Sequence, residues 1–333
     1  MNNKKEILLL ATGGTIASKQ TSAGLAPQLT AGDLLSYIPS VHEICQVTVE
    51  QVFDLDSTNM TPAHWLTLAG RIRERYDRFD GFVITHGTDT LAYTAAALSY
   101  LIQDSAKPIV LTGAQKSIDY DRTDAKTNLL DSFLWVSAPQ TAGVSIIFDG
   151  KVIAGTRAKK LRSKSFNAFS SINFPQLATI RDGRIYHYIK RSAGERPVRF
   201  YDRLEESVCV LKLIPGMKAD ILEKVFAAYR CIILESFGVG GIPATLSGRF
   251  YELCREQPQV LVIMTTQVTE EGSDMGLYEF GHLAKQEGQV LESFDMTLES
   301  VVAKAMWILG NFSLSREEQA SLFYQAVDFD TIM

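Results

Sequence analysis

The sequence is poor in the residues on which several reaction classes depend. Its 4 cysteines, Cys45, Cys209, Cys231 and Cys254, form no C-x-x-C pair, which argues against a zinc ribbon or a dithiol redox site. Cys209 and Cys231 lie in apolar runs and read as small core residues, so reduced thiols in a cytoplasm are expected. The 5 histidines, His42, His64, His86, His187 and His282, are scattered without metal-ligand spacing, and neither a catalytic metal nor a cofactor is expected. A G-x-S-x-G elbow, a Walker A loop and a complete G-x-G-x-x-G after the first strand are all missing, which weighs against serine hydrolases, P-loop enzymes and dinucleotide enzymes. Charge of one sign is also missing: the net value is only -5, no footprint for a nucleic acid. No apolar run is long enough to span a bilayer, and the one near the N-terminus, Ile7 to Ala11, is too short for a signal-peptide core.

What is present is apolar material, 46% of 333 residues, enough for two cores. Short β-rich runs alternate with amphipathic helical stretches, the pattern of a mainly parallel sheet flanked by helices. Ile7 to Ala11, Gly81 to Thr85, Pro108 to Thr112 and Val144 to Phe148 are predicted as buried strands. Helices are predicted for Thr61 to Arg78, where Pro62 follows a threonine cap, and for Thr88 to Leu101 and Asp124 to Val136. The charged, irregular stretch around His187 to Glu206 marks a domain linker. The expected organisation is therefore a larger α/β catalytic domain over 1–190, a linker over 191–207, and a smaller α/β domain over 208–333. In the last of these, Val208 to Ile214, Cys231 to Ser236 and Val260 to Thr265 read as strands and Ala219 to Tyr229 as a helix.

Parallel sheets bind ligands at the carboxyl ends of their strands, so the residues just beyond each strand carry the functional signal. After the first strand comes Thr12-Gly13-Gly14-Thr15-Ile16-Ala17, where two glycines permit a tight turn beside a hydroxyl. The strand Gly81 to Thr85 runs into His86-Gly87-Thr88-Asp89-Thr90, placing Thr88 and Asp89 near a helix N-terminus that favours a developing oxyanion, or merely caps the helix. A threonine hydroxyl is a weak nucleophile and needs a base. The run Arg157 to Lys164 offers lysines, with Asp89 to orient one of them, and its spacing does not choose between Lys159 and Lys160.

Together, T-G-G-T-I-A at Thr12 to Ala17 and H-G-T-D-T at His86 to Thr90 resemble the two motifs of the bacterial-type asparaginase and glutaminase family. Further matches at Asp56-Ser57-Thr58, Leu111 to Gln115, Gly238 to Pro243 and Asp295-Met296-Thr297 extend the resemblance over nearly the whole chain, closest to the cytoplasmic type I branch. The resemblance implies an asparaginase that hydrolyses L-asparagine to L-aspartate and ammonia through an acyl-threonine. It implies Thr15 as nucleophile, Thr88 and Asp89 as the second threonine and its acid, and Lys160, from a G-x-R-x-x-K pattern, as the lysine. Ser57 and Thr58 would bind the substrate carboxylate, with Gly14, Gly87 and Ala114 completing the substrate site; backbone N–H groups near Thr88 and Gly14 would hold the oxyanion. A homodimer or homotetramer is implied, with no nucleic-acid or membrane partner. Two positions depart from the pattern. Leu25 stands where many members carry a loop tyrosine, and Glu235 and Val268 replace the arginine and cysteine with which some members bind activating asparagine, so no homotropic activation is expected. Broader glutaminase activity is an alternative. So is a tRNA-dependent amidotransferase subunit, although T-G-G-T at Thr12 leaves no room for the extra N-terminal domain expected of one.

Overall fold

A computed structural model describes residues 4–21, 24–27, 29–191, 196–277 and 290–332. The chain divides into two compact units, Met1–Asp202 and Arg203–Met333, and the division falls inside the charged stretch 191–207.

The first unit is built on an eight-stranded sheet. Its strands are β1 (Glu6–Gly13), β2 (Gln46–Leu55), β3 (Gly81–Thr85), β4 (Pro108–Thr112), β5 (Gly143–Phe148) and β6 (Lys151–Ala154), followed later in the chain by two more. Between them lies a short ribbon, β7 (Ala158–Lys160) against β8 (Phe169–Ser171); β9 (Ala178–Arg181) and β10 (Arg184–His187) then complete the sheet. The order across it is β10-β9-β6-β5-β4-β3-β1-β2. Strands β2, β1, β3, β4 and β5 pair in parallel. β3, β4 and β5 are buried along their full length, which is why they read as unbroken apolar runs.

The antiparallel extension β6, β9 and β10 was not among the predicted strands, yet its turns are plainly encoded. Asp149-Gly150 joins β5 to β6 and Asp182-Gly183 joins β9 to β10, and all four residues have positive φ, between 49° and 69°. Such two-residue turns match the twist of a hairpin, and Asp-Gly is among the pairs that adopt them most readily. Strand β2 was also unpredicted; its alternating polar and apolar residues suit an edge strand.

Helices cover the sheet. α1 (Pro62–Arg75) starts at Thr61 with a reciprocal cap between Thr61 and His64. α2 (Leu91–Leu101) is buried nearly all round. α3 (Ala125–Ser137) buries Ala125, Asn128, Leu129, Ser132, Phe133 and Val136, one face at helical period. α2 begins three residues later than the expected Thr88. The N–H of Asp89 donates to Ser57 Oγ at 3.3 Å and the Thr90 hydroxyl to Ser57 O at 2.7 Å, and these bonds hold the segment as a turn.

The second unit carries a parallel four-stranded sheet in sequence order: β11 (Val208–Lys212), β12 (Cys231–Ser236), β13 (Leu261–Thr266) and β14 (Leu291–Glu292). Its helices include α4 (Asp220–Ala228), α5 (Ala244–Glu256), α6 (Leu298–Asn311) and α7 (Arg316–Tyr324). Inside it, Lys304 of α6 and Asp330 form a fully buried pair, with Lys304 Nζ 2.6 Å from Asp330 Oδ2 and 2.8 Å from Gln325 O. Burial pushes the Lys304 ammonium toward neutrality and Asp330 opposes this. Asp330→Ala is therefore expected to destabilise the protein by about 3–5 kcal/mol, since it strands a buried charge. Lys304→Met combined with Asp330→Leu should recover most of that loss in urea unfolding; a double variant as unstable as Asp330→Ala would refute the account.

Among the described residues, no helix is long and apolar enough to cross a membrane.

Candidate active site

The chain runs from β1 to β2 on one side and then returns to β3 on the other, so the order reverses between β1 and β3. At such a switch point the loops leaving adjacent strands part and open a crevice at the strand ends. Three loops meet there. Where β1 ends, Gly13 and Gly14 have φ of 94° and 82°, a backbone that glycine alone adopts without strain. A Cβ on Gly14 would lie 2.5 Å from Gly87 Cα, so the turns after β1 and β3 touch backbone to backbone. A Cβ on Gly87 would lie 2.5 Å from Ser57 Oγ, which packs the turn after β2 onto the same point. Thr15 and Thr88 are the next residue along each chain from the Gly14–Gly87 contact. Thr15 is half-buried and opens a single 3₁₀ turn, Thr15–Ala17; Thr88 is buried.

The turn after β3 is fixed from behind. His86 is completely buried, its Nδ1 2.7 Å from Gly87 O and its Nε2 2.9 Å from Thr94 Oγ1, which also accepts the Trp65 indole N–H at 2.9 Å. The Gly87 carbonyl can only accept, so Nδ1 carries the proton and Nε2 accepts from Thr94. Burial depresses the His86 pKa to about 4, which keeps the ring neutral and this chain of bonds intact at neutral pH.

Lys160 joins the groups together. The ribbon registers Lys160 opposite Phe169, and its Nζ lies 2.7 Å from both Thr88 Oγ1 and Asp89 Oδ1. The bond to Asp89 is a charge-assisted one, with the lysine side chain 19% and the carboxylate 58% exposed. The basic run containing it is not uniformly solvated: Arg157 is fully buried with its guanidinium 5.3 Å from the Phe174 ring centre, whereas Arg162 and Lys164 are exposed.

The remaining expected residues fall into two groups. Ser57 is buried and engages Asp89 and Thr90, as described, and Ala114 is buried just beyond β4. Thr58 is held within its own turn, its N–H and hydroxyl each donating to Asp56 Oδ1 at 2.9 Å. The Gly14 N–H donates to Leu55 O at 3.0 Å and so is engaged with the end of β2. Ser22 and Ala23 lie outside the described residues, as do the Leu25 side chain, Gly194, Glu195 and His282. Two residues were missed. Gln115 Oε1 lies 3.3 Å from Thr88 Oγ1, and Asp124 accepts the Gln115 N–H at 2.9 Å and 3.1 Å. The position of Gln115 just after a buried strand was the available signal.

Hydroxyl, ammonium and carboxylate groups meet at the switch point of a mainly parallel sheet, and similarity to known proteins makes the chain an amidohydrolase. The chain belongs to the asparaginase family: the family description "Asparaginase, N-terminal" matches residues 6–193 and "Glutaminase/Asparaginase C-terminal domain" matches 207–323. It is 37% identical over 310 residues to the L-asparaginase of Thermococcus kodakarensis, covering 92% of this chain and 93% of that one. The structure of the thermostable L-asparaginase from that organism superposes with a TM-score of 0.89 at 34% identity, over 98% of each chain. L-asparaginase I of Vibrio cholerae superposes with a TM-score of 0.89 at 28% identity, over 99% of this chain and 100% of that one. A glutamyl-tRNA(Gln) amidotransferase subunit of Pyrococcus furiosus is 34% identical over 327 residues, 93% of this chain and 73% of that one.

Proposed function

We propose that this chain hydrolyses the side-chain amide of L-asparagine, giving L-aspartate and ammonia, with catalysis carried by the first unit. The observation that carries the proposal is Lys160 Nζ at 2.7 Å from both Thr88 and Asp89, beside the Gly14–Gly87 junction that Thr15 follows. In this reading Thr15 Oγ1 attacks the amide carbon, and the N–H groups of Thr15 and Thr88 hold the oxyanion. The proton from Thr15 passes to the leaving amine, ammonia departs, and an acyl-threonine ester remains. Water, its proton relayed through Thr88 beside the Lys160 ammonium to the departing Thr15 oxygen, then hydrolyses the ester and restores Thr15. Asp89 faces the substrate ammonium and Ser57 its carboxylate, which selects a free amino acid.

The decisive experiment is steady-state ammonia release by the purified chain from L-asparagine and from L-glutamine. Release from asparagine is expected, with a hyperbolic dependence on its concentration. Glu235 and Val268 stand where activator-binding members have arginine and cysteine, so a sigmoidal curve would refute the absence of homotropic activation. Glutamine differs by one methylene, a difference worth about 1–3 kcal/mol in a pocket, and its turnover relative to asparagine measures how broad the activity is. Ammonia release that required an added partner protein would favour the role of the amidotransferase relatives; no release from either amide would end the proposal.

We also propose that the protein acts in the cytoplasm as a homodimer or homotetramer. The unpaired cysteines, three of them buried, support a reducing compartment. The resemblance supports the assembly, and light scattering of the eluted protein tests it.

A further inference from the structure

We propose that Gln115 is a positioning residue for the reaction, one that sets the direction in which the Thr88 hydroxyl points; this rests on the amidohydrolase reading above. The orientation of the Gln115 amide follows from its surroundings. Its Nε2 lies 3.1 Å from Ser165 O and 3.4 Å from Arg162 O. Both are carbonyl oxygens, which accept and cannot donate, so the amide nitrogen belongs on that side and Oε1 faces Thr88 at 3.3 Å. Lys160, as an ammonium, has donors only, and one of them points to Thr88 Oγ1 at 2.7 Å. Thr88 therefore receives a hydrogen bond from Lys160 and directs its own proton to Gln115. A hydroxyl is free to rotate about its C–O bond, and these two partners of opposite kind leave it one orientation.

The position of Gln115 is itself secured. Its N–H donates to both oxygens of Asp124, the Lys116 N–H donates to Asp124 Oδ1 at 3.1 Å, and Asn128 Nδ2 joins Asp124 at 3.3 Å to Gly113 O at 2.9 Å. These bonds tie the loop after β4 to the start of α3. Gln115 thus connects the loop after β4 with the loop carrying Arg162 and Ser165, across the hydroxyl that Lys160 serves, and the same loops meet again where Lys116 Nζ lies 5.8 Å from the Phe166 ring centre. In the hydrolytic step water gives a proton to Thr88 Oγ1 while Thr88 gives its own to the departing Thr15 oxygen, and the Lys160 ammonium stays protonated and holds the Thr88 oxygen in place. A hydroxyl that begins in one orientation needs a single rotation to do this, whereas an unrestrained one samples unproductive orientations.

The test is Gln115→Met, which keeps length and bulk and removes both polar atoms. Turnover on L-asparagine is expected to fall about tenfold with KM within about twofold of wild type, because substrate contacts remain. The solvent deuterium isotope effect on kcat is expected to rise, because proton transfer becomes more rate-limiting. An unchanged kcat, or an unchanged isotope effect with kcat and KM altered together, would overturn the proposal and leave Gln115 as a loop brace. A fall in melting temperature of many degrees accompanied by loss of kcat without the isotope change would do the same. Wild type inactive on both amides would remove the catalytic reading, an outcome distinct from an active wild type that Gln115→Met leaves untouched.

Discussion

Thr15→Ala and Thr88→Val are each expected to lower turnover on L-asparagine by about four orders of magnitude, the scale on which loss of a catalytic nucleophile or its proton-handling partner acts, while the protein stays folded. The folded state does not depend on either hydroxyl in the way activity does. Thr15 is only half-buried at the start of a single turn, and valine fills the space of threonine at position 88. What Thr88→Val removes is the acceptor at 2.7 Å from Lys160, leaving the ammonium bonded to Asp89 at the same distance. The two variants should differ in what accumulates. If Thr15 is the attacking group and Thr88 serves the water step, Thr88→Val mixed with asparagine and quenched in acid should carry a covalent aspartyl mass on the peptide containing Thr15, and Thr15→Ala should carry none. Ammonia at the normal rate from either variant, with its melting temperature unchanged, would refute the role assigned to the threonine it lacks.

The parts of this site that can be read in the sequence are those whose chemistry is local. Thr12 to Ala17 and His86 to Thr90 follow apolar strands, and paired glycines beside hydroxyls at a strand end already describe a turn that can approach a ligand. Lys160 is different. Lys159 and Lys160 are neighbours on one strand, so their side chains leave opposite faces. Which face meets Thr88 depends on the register of β7 against β8, with Lys160 opposite Phe169, and that pairing is set by packing elsewhere in the unit. Gln115 and Asp124 were overlooked for a related reason. A glutamine after a strand and an aspartate before a helix have ordinary local explanations, and their roles come from contacts with residues about fifty positions away for Gln115 and from nine positions back for Asp124. The late start of α2 has the same origin: local caps favour a helix from Thr88, and Ser57, 32 residues before Asp89, holds the turn open. The fold was legible in its buried parallel strands, whereas the hairpin extension was overlooked although Asp149-Gly150 and Asp182-Gly183 announce it.

Gly14→Ala should separate the role of the backbone junction from that of the side chains around it. Two costs coincide at this residue. Its φ of 82° and ψ of 177° lie in a region that is essentially glycine's, at about 1–3 kcal/mol for another residue. The new Cβ would also stand 2.5 Å from Gly87 Cα and 2.9 Å from His86 C, and backbone atoms have no rotamer through which to yield. His86 cannot shift to relieve the contact without breaking its bonds to Gly87 O and Thr94, so the turn after β1 has to move away from the turn after β3. That displacement carries Thr15 away from Thr88. A misplacement of about 1 Å costs on the order of 100-fold in rate, and turnover is expected to fall by at least that factor, together with a stability loss of a few kcal/mol. Gly183→Ala is the control. It has a similar positive φ, 69°, in the turn between β9 and β10, but its Cβ would meet nothing within 4 Å, so it should show the conformational cost alone and keep its activity. Equal losses of turnover in the two variants would mean that backbone strain, not the meeting of two strand ends, is what Gly14 relieves; full activity in Gly14→Ala would mean that catalysis does not need those ends to touch.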